Sequence, residues 1–147
     1  MVLRSANPRD IDSVLSLWEA AGGPSSTSDT PEGLTRLLAQ APEALLLAES
    51  GDAGVIGSLI AAWDGWRGSF YKLVVHTEHR RRGLATKLLR EGETRLRAKG
   101  AVRLTAIVLE DDPVAVAFWK AAGYLRQPQQ TRFVRHIASE RTTARSS

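Results

Sequence analysis

Two kinds of apolar spacing alternate along the chain. In residues 7–22, Ile11, Val14, Leu15 and Trp18 recur at the three-and-four spacing of a helix face. Asn7 stands as N-cap, Pro8 takes the first helical position, Asp10 sits in the first turn and Gly22 follows the last. Thr30-Pro31-Glu32 opens a shorter helix running to about Gln40. Leu84/Ala85, Leu88/Leu89 and Leu96 mark a long helix that Gly100 closes. Asp112 and Pro113 begin a fourth in "DDPVAVAFWKAAGY". Gly92 falls on the stripe of the long helix, at a cost of about 1 kcal/mol relative to alanine. Close packing against a sheet is the simplest reason for it.

Between these lie strand-length apolar runs: "VLRSA", "EALLLAES", "GVIGSLIAAWDG", "SFYKLVVH", "VRLTAIVL" and "TRFVRHI". "GDAG" joins the second and third as a hairpin. "VRLTAIVL" is apolar enough to be buried on both faces. The predicted order is β-α-α-β-β-β-α-β-α-β. It implies an α/β fold, with an antiparallel meander in the middle and a parallel strand–helix–strand crossover from "SFYKLVVH" to "VRLTAIVL". One domain over residues 1–137 is expected, with 138–147 a polar tail.

Composition narrows the chemistry. The 147 residues are 43% hydrophobic and 24% charged, an ordinary globular mixture. There is no cysteine, which excludes disulfides, thiolate metal sites and a cysteine nucleophile. His76, His79 and His136 make no paired ligand motif, so no metal is expected. No run of 18 apolar residues and no signal-peptide pattern occur, and a cytoplasmic protein with no membrane partner is expected. The net charge of +4 suggests an anionic partner without identifying one.

The candidate for that partner is "HRRRGLA", residues 79–85, lying between a predicted strand and a predicted helix. Free N–H groups and the positive dipole end of a helix make an anion site. Gly83 allows close approach of a ligand to the backbone, and Arg80, Arg81 and Arg82 add charge. It is neither a Walker loop nor a dinucleotide fingerprint, having no G-K-[ST] and a single glycine. Three readings stay open on these residues alone: a phosphate or diphosphate site, a nucleic-acid patch, or a solvated face.

"LVVHTEHRRRGLATKLL" resembles the acetyl-CoA motif of the GNAT superfamily of N-acetyltransferases, R/Q-x-x-G-x-G/A opening a helix, here Arg80-x-x-Gly83-x-Ala85. "DDPVAVAFWKAAGY" resembles the family's second motif, with Asp112, Ala115, Phe118, Trp119, Gly123 and Tyr124 in register. The resemblance spans nearly the whole chain. It implies a central mixed, mostly antiparallel twisted sheet with helices on both faces. It implies acetyl-CoA as cosubstrate, a small-molecule or peptide amine as acceptor, no nucleic acid, and a homodimer as a common state of relatives. The N–H groups of Arg81, Arg82, Gly83, Leu84, Ala85 and Thr86 would hold the diphosphate. Leu73, Val74 and Val75 would pair with the pantetheine arm, donors at Val74 or Val75 would stabilise the oxyanion, and Asp112, Ala115, Phe118 and Trp119 would flank the arm.

The chain departs from the family pattern in its chemistry. Thr77 replaces a common proline and Asp112 the usual asparagine, which loses amide donors. Trp119 stands where many members carry the tyrosine that protonates the leaving thiolate, and an indole cannot deliver that proton. Positions where relatives carry a basic glutamate fall at Ser69 and Ile107. Glu110, Tyr71 and Asp64 are the remaining catalytic candidates, each with a bland alternative as a loop carboxylate or a packed ring. Trp63 and Trp66 bracket the Asp64 turn and are read as an acceptor wall; Trp18 is read as core. A weak base favours an acceptor of low pKa. The alternatives are a CoA-binding regulatory module that has lost catalysis, supported by Trp119, and a nucleic-acid binder using Arg80–Arg82.

Overall fold

The computed structural model describes residues 1–137. Strands β1 (Val2–Ser5), β2 (Leu45–Ser50), β3 (Gly54–Trp63), β4 (Gly68–Val75) and β5 (Leu104–Ala106) form one sheet in chain order. All neighbours are antiparallel except β4 and β5, which are parallel. The helices are α1 (Ile11–Ala21), α2 (Pro31–Gln40), α3 (Leu84–Lys99) and α4 (Pro113–Ala121). The chain divides after Leu109 into two compact units, the first holding the whole sheet with α1, α2 and α3.

Local chemistry sets the helix boundaries much as the caps predict. The Asn7 side chain accepts from the Arg9 N–H, and Asp10 returns the contact to the Asn7 N–H, but Pro8–Asp10 form a 3-10 turn before α1 proper. Thr30 accepts from the Gly33 N–H to cap α2. Gly100 closes α3 in the left-handed conformation (φ 106°) that glycine takes without steric cost.

Each sheet face has its own core. On one, Val14, Leu17 and Trp18 of α1 and Leu34 and Leu38 of α2 cluster with Leu45, Leu47, Ile60 and Val74. On the other, Leu84, Leu88, Leu89 and Leu96 of α3 are buried. A Cβ on Gly92 would lie 2.8 Å from Leu59 Cδ2 and 3.0 Å from Phe70 Cε1. The glycine in the stripe is therefore a point of close helix–sheet approach, as its placement predicts.

Two strand expectations are corrected. Only Leu104–Ala106 of "VRLTAIVL" pair, and the run is not buried on both faces: Val102, Ile107 and Leu109 are exposed. β5 is an edge held by three residues of one neighbour, and apolar composition does not create a second ladder. "TRFVRHI", residues 131–137, is not a strand; all seven residues are exposed and none belongs to the sheet. Its alternation satisfies the period, but a strand exists only where an edge accepts its N–H and C=O groups. The second unit, taken by itself, is α4 with its cap at Asp112, followed by irregular chain. Residues 138–147, read as a polar tail, lie outside the described residues.

Candidate active site

The site in the first unit is built around an interruption of β4. Phe70 lies against Gly92 of α3, whereas Val74, four residues on, belongs to the α1–α2 core. In a regular strand residues four apart share a face. The register with β3 jumps from Tyr71↔Ile60 to Val74↔Ser58, so Lys72 and Leu73 stand opposite Leu59 alone, a β-bulge. Lys72 adopts φ 55°, a left-handed conformation that costs a non-glycine residue roughly 1–2 kcal/mol. One extra residue reverses the alternation, so Tyr71 and Leu73 do not share a face as they would across a regular strand.

What holds the bulge is a buried chain of hydrogen bonds. Trp18 Nε1 donates to Ser58 Oγ at 2.8 Å, and the Ser58 hydroxyl donates to the Lys72 carbonyl at 2.8 Å. Ser58 is fully buried. The Lys72 ammonium lies 2.6 Å from Asp29 Oδ2 and 5.0 Å from the centre of the Trp18 ring. Burial alone would raise the Asp29 pKa; the hydrogen bond from Lys72, with those from the Ser26 N–H and hydroxyl, outweighs it and holds the carboxyl below its ordinary range. Trp18 is core, as its place on the α1 stripe predicts. The partnership of Lys72, Ser58 and Asp29 is not visible at that stage. Its signals were a serine inside an apolar run and a lysine in "FYKLVV".

β4 pairs with β5 only at Gly68↔Leu104, Ser69↔Thr105 and Phe70↔Ala106. It continues through Val75, so the backbone of Tyr71–Val75 on its β5 side is an open edge among the described residues. Leu73, Val74 and Val75 all lie on this edge. Ser69 is tied to Thr105 at 3.2 Å between hydroxyls, and Ile107 is exposed; neither offers a proton acceptor of use.

Directly after the open edge, the chain turns through a 3-10 segment (Thr77–His79) capped by His76 Nδ1, which accepts from the Glu78 N–H. Arg81 (φ 65°) and Gly83 (φ 73°) are both left-handed. Nothing lies within 4 Å of where a Gly83 Cβ would be, so the space beside it is open. No side chain caps α3, so its first-turn N–H groups at Leu84, Ala85 and Thr86 face outward without an intrahelical partner. Arg81 and Arg82 are exposed beside them. Arg80 is committed elsewhere, Nε donating to the Val75 carbonyl (3.2 Å) and Nη2 to that of Ala21 (3.4 Å). The three arginines are therefore not one uniform cationic patch.

The catalytic candidates receive different environments. Tyr71 is 47% exposed on β4, beside the end of β5 pairing. One Asp64 carboxylate oxygen accepts from the N–H groups of Trp66 (2.8 Å) and Arg67 (2.6 Å). Those bonds, Arg67 first, lower its pKa and make it the organiser of the β3–β4 turn. A lowered pKa is the wrong direction for a base working near neutrality. Trp66 is exposed, with the Arg67 guanidinium 3.9 Å over its ring. Within the second unit, Glu110 pairs with Arg126 at 3.0 Å on the surface. Asp112 Oδ1 accepts from the Ala115 N–H. The Trp119 ring meets Phe118 and Tyr124 edge-on, at centroid distances of 5.6 and 4.9 Å.

Comparison with known proteins gives the family. Residues 12–124 match the model of the acetyltransferase (GNAT) family. An acetyltransferase of Yersinia enterocolitica is 33% identical over 127 residues, covering 86% of this chain and 89% of that protein. The aminoglycoside 6'-N-acetyltransferase AAC(6')-Ig of Acinetobacter haemolyticus shares the fold, with a TM-score of 0.74 at 23% identity over 94% of this chain and all of that one. So does the PaiA N-acetyltransferase of Thermoplasma acidophilum, solved with coenzyme A, with a TM-score of 0.72 at 16% identity over 88% and 92%. All three are acetyltransferases. The chain belongs to the GNAT acetyltransferase family.

Proposed function

We propose that the protein transfers an acetyl group from acetyl-CoA to a primary amine, the amine attacking the thioester directly in a ternary complex. The observation that carries this reading is the continuity of open edge and open helix end. Leu73–Val75, which have no β5 partner among the described residues and whose Val75 carbonyl is taken by Arg80, run straight into the Arg81–Thr86 turn and the uncapped start of α3. An extended amide-bearing arm suits the first, and a diphosphate suits the second.

The chemistry follows from what the chain lacks and holds. With no cysteine, no acyl-enzyme of that kind forms. The amine nitrogen bonds to the thioester carbon, the C–S bond breaks, and CoA leaves as thiolate. Backbone N–H groups at Val74 or Val75 stabilise the oxyanion. The amine proton goes to water, directly or through the Tyr71 hydroxyl near the end of β5 pairing, which passes its own proton to the departing thiolate or to solvent as it takes up the amine's. A thiol pKa of about 8.5 makes the thiolate a tolerable leaving group without a strong acid. The reading of Asp112, Ala115, Phe118 and Trp119 as flanking the arm rests on the second motif.

A weak base selects its acceptor. Lysine side chains titrate near 10.4 and α-amino groups near 7.7–8.0, a gap of about 2.5 units or roughly 3.5 kcal/mol of deprotonation cost at neutral pH. The preferred acceptor is accordingly an α-amino group or another amine of low pKa. Thiol release from acetyl-CoA at pH 7 should be faster with a lysine-free peptide bearing a free N-terminus than with an N-blocked lysine peptide. The reverse order would refute the acceptor class. Trp119 favours a second reading, a CoA-binding module with little turnover; acetyl-CoA binding without thiol release across an amine panel would establish it.

A further inference from the structure

The bulge of β4 is joined to a segment far from it in sequence. The loop between α1 and α2, residues 22–30, ends at Asp29, whose carboxylate takes the Lys72 ammonium at 2.6 Å. That side chain is only 9% exposed, and Lys72 19%. The same carboxylate gathers the loop, accepting from the Ser26 N–H and hydroxyl, and the Ser26 and Ser28 hydroxyls lie 3.1 Å apart. On the strand side, the Lys72 carbonyl is fixed by Ser58, which is fixed by Trp18 of α1. Lys72 is thus gripped at both ends, its carbonyl by the core and its ammonium by the loop. It immediately precedes Leu73–Val75, the residues assigned to the pantetheine arm.

We infer that the Asp29–Lys72 pair is a latch through which acetyl-CoA on the β4 edge orders the 22–30 loop, making Asp29 and Lys72 positioning residues. The inference rests on the functional reading above. A surface ion pair would contribute little, but this one is largely withdrawn from water and ties a loop rich in Gly and Ser to the bulge of β4. A ligand pairing with Leu73–Val75 stiffens the bulge. The stiffened bulge fixes the root of the Lys72 side chain, and the ammonium then holds Asp29 and the loop in place.

The test is amide hydrogen exchange of the full chain with and without acetyl-CoA, beside calorimetric titration of each variant. Lys72→Gly suits the left-handed backbone but has no ammonium; Asp29→Asn keeps the shape but not the charge; Lys72→Arg keeps the charge. In the parent, acetyl-CoA should slow exchange across both 72–75 and 23–30 by about tenfold or more. In Lys72→Gly and Asp29→Asn the slowing at 72–75 should persist and that at 23–30 should vanish. Lys72→Arg should restore it. Loop protection that survives in both uncharged variants would overturn the latch, as would acetyl-CoA binding that never protects the loop in the parent. Failure of the parent to bind acetyl-CoA at all would remove the functional reading and the latch with it. Loss of loop protection in Lys72→Gly with binding retained separates the latch from mere support of the bulge.

Discussion

Residue by residue, Ser58 and Trp119 set the sharpest expectations. Ser58→Ala leaves the Trp18 indole N–H and the Lys72 carbonyl buried without their partner. Each such orphan costs about 1–3 kcal/mol, so denaturant unfolding should show a loss of roughly 2–6 kcal/mol for the two. Trp119→Tyr places a hydroxyl where the second motif expects the proton donor. It should raise kcat by about tenfold or more, since general acids contribute roughly 100- to 10,000-fold and water already covers part. An unchanged kcat would mean that thiolate departure is not limiting. The motif residues were legible because their types suit short-range geometry: Gly83 takes a left-handed backbone that glycine adopts without steric cost, and Asp112 caps α4. Lys72, Ser58 and Asp29 were not legible. Their relation crosses 43 residues at its longest, and no local pattern encodes a contact of that kind.

At the level of elements, periodicity located α1, α2 and α3 and the strands β2, β3 and β4 because each buries a stripe or a face. The glycine in α3 carries the check. Gly92→Val would drive branched carbons into Leu59 and Phe70, already 2.8 and 3.0 Å from an added Cβ. Overpacking of this kind costs about 1–3 kcal/mol, and an unchanged unfolding midpoint would contradict the packing assigned to that face. Where elements failed to follow the pattern, pairing was the missing ingredient. "TRFVRHI" alternates without a ladder, and "VRLTAIVL" pairs over three residues. The bulge is the converse case. No glycine or proline announces it, because Lys72 takes the left-handed conformation and the Ser58 hydrogen bond holds it there.

For the molecule as a whole, paired carboxylates govern the acid limb of stability. Asp10 is lowered by its hydrogen bond from Arg4, Glu43 by that from Lys99, and Asp29 by Lys72 against the opposing effect of burial. Folded values below unfolded ones mean that the unfolded chain binds more protons on the acid side. The stabilisation is complete above the ordinary carboxylate values of 3.8 to 4.5 and is lost as pH falls through the lower folded ones. The thermal midpoint should be level through neutral pH and drop below about pH 4, and Asp10→Asn should flatten part of that drop. Family membership was legible from two motifs in order. The acceptor was not, since amine selection depends on loops whose sequences carry no periodic constraint.

Calorimetric titration with acetyl-CoA, of the parent and of Gly83→Asp, tests the central claim most directly. Aspartate tolerates a left-handed backbone better than most side chains, so the variant keeps its fold while setting a negative charge at the start of α3. Equal thermal midpoints for the two proteins check that. Micromolar binding by the parent, lost in the variant, is the predicted result. No heat from the parent at millimolar acetyl-CoA, or equal affinity in both proteins, would contradict a diphosphate held at residues 81–86.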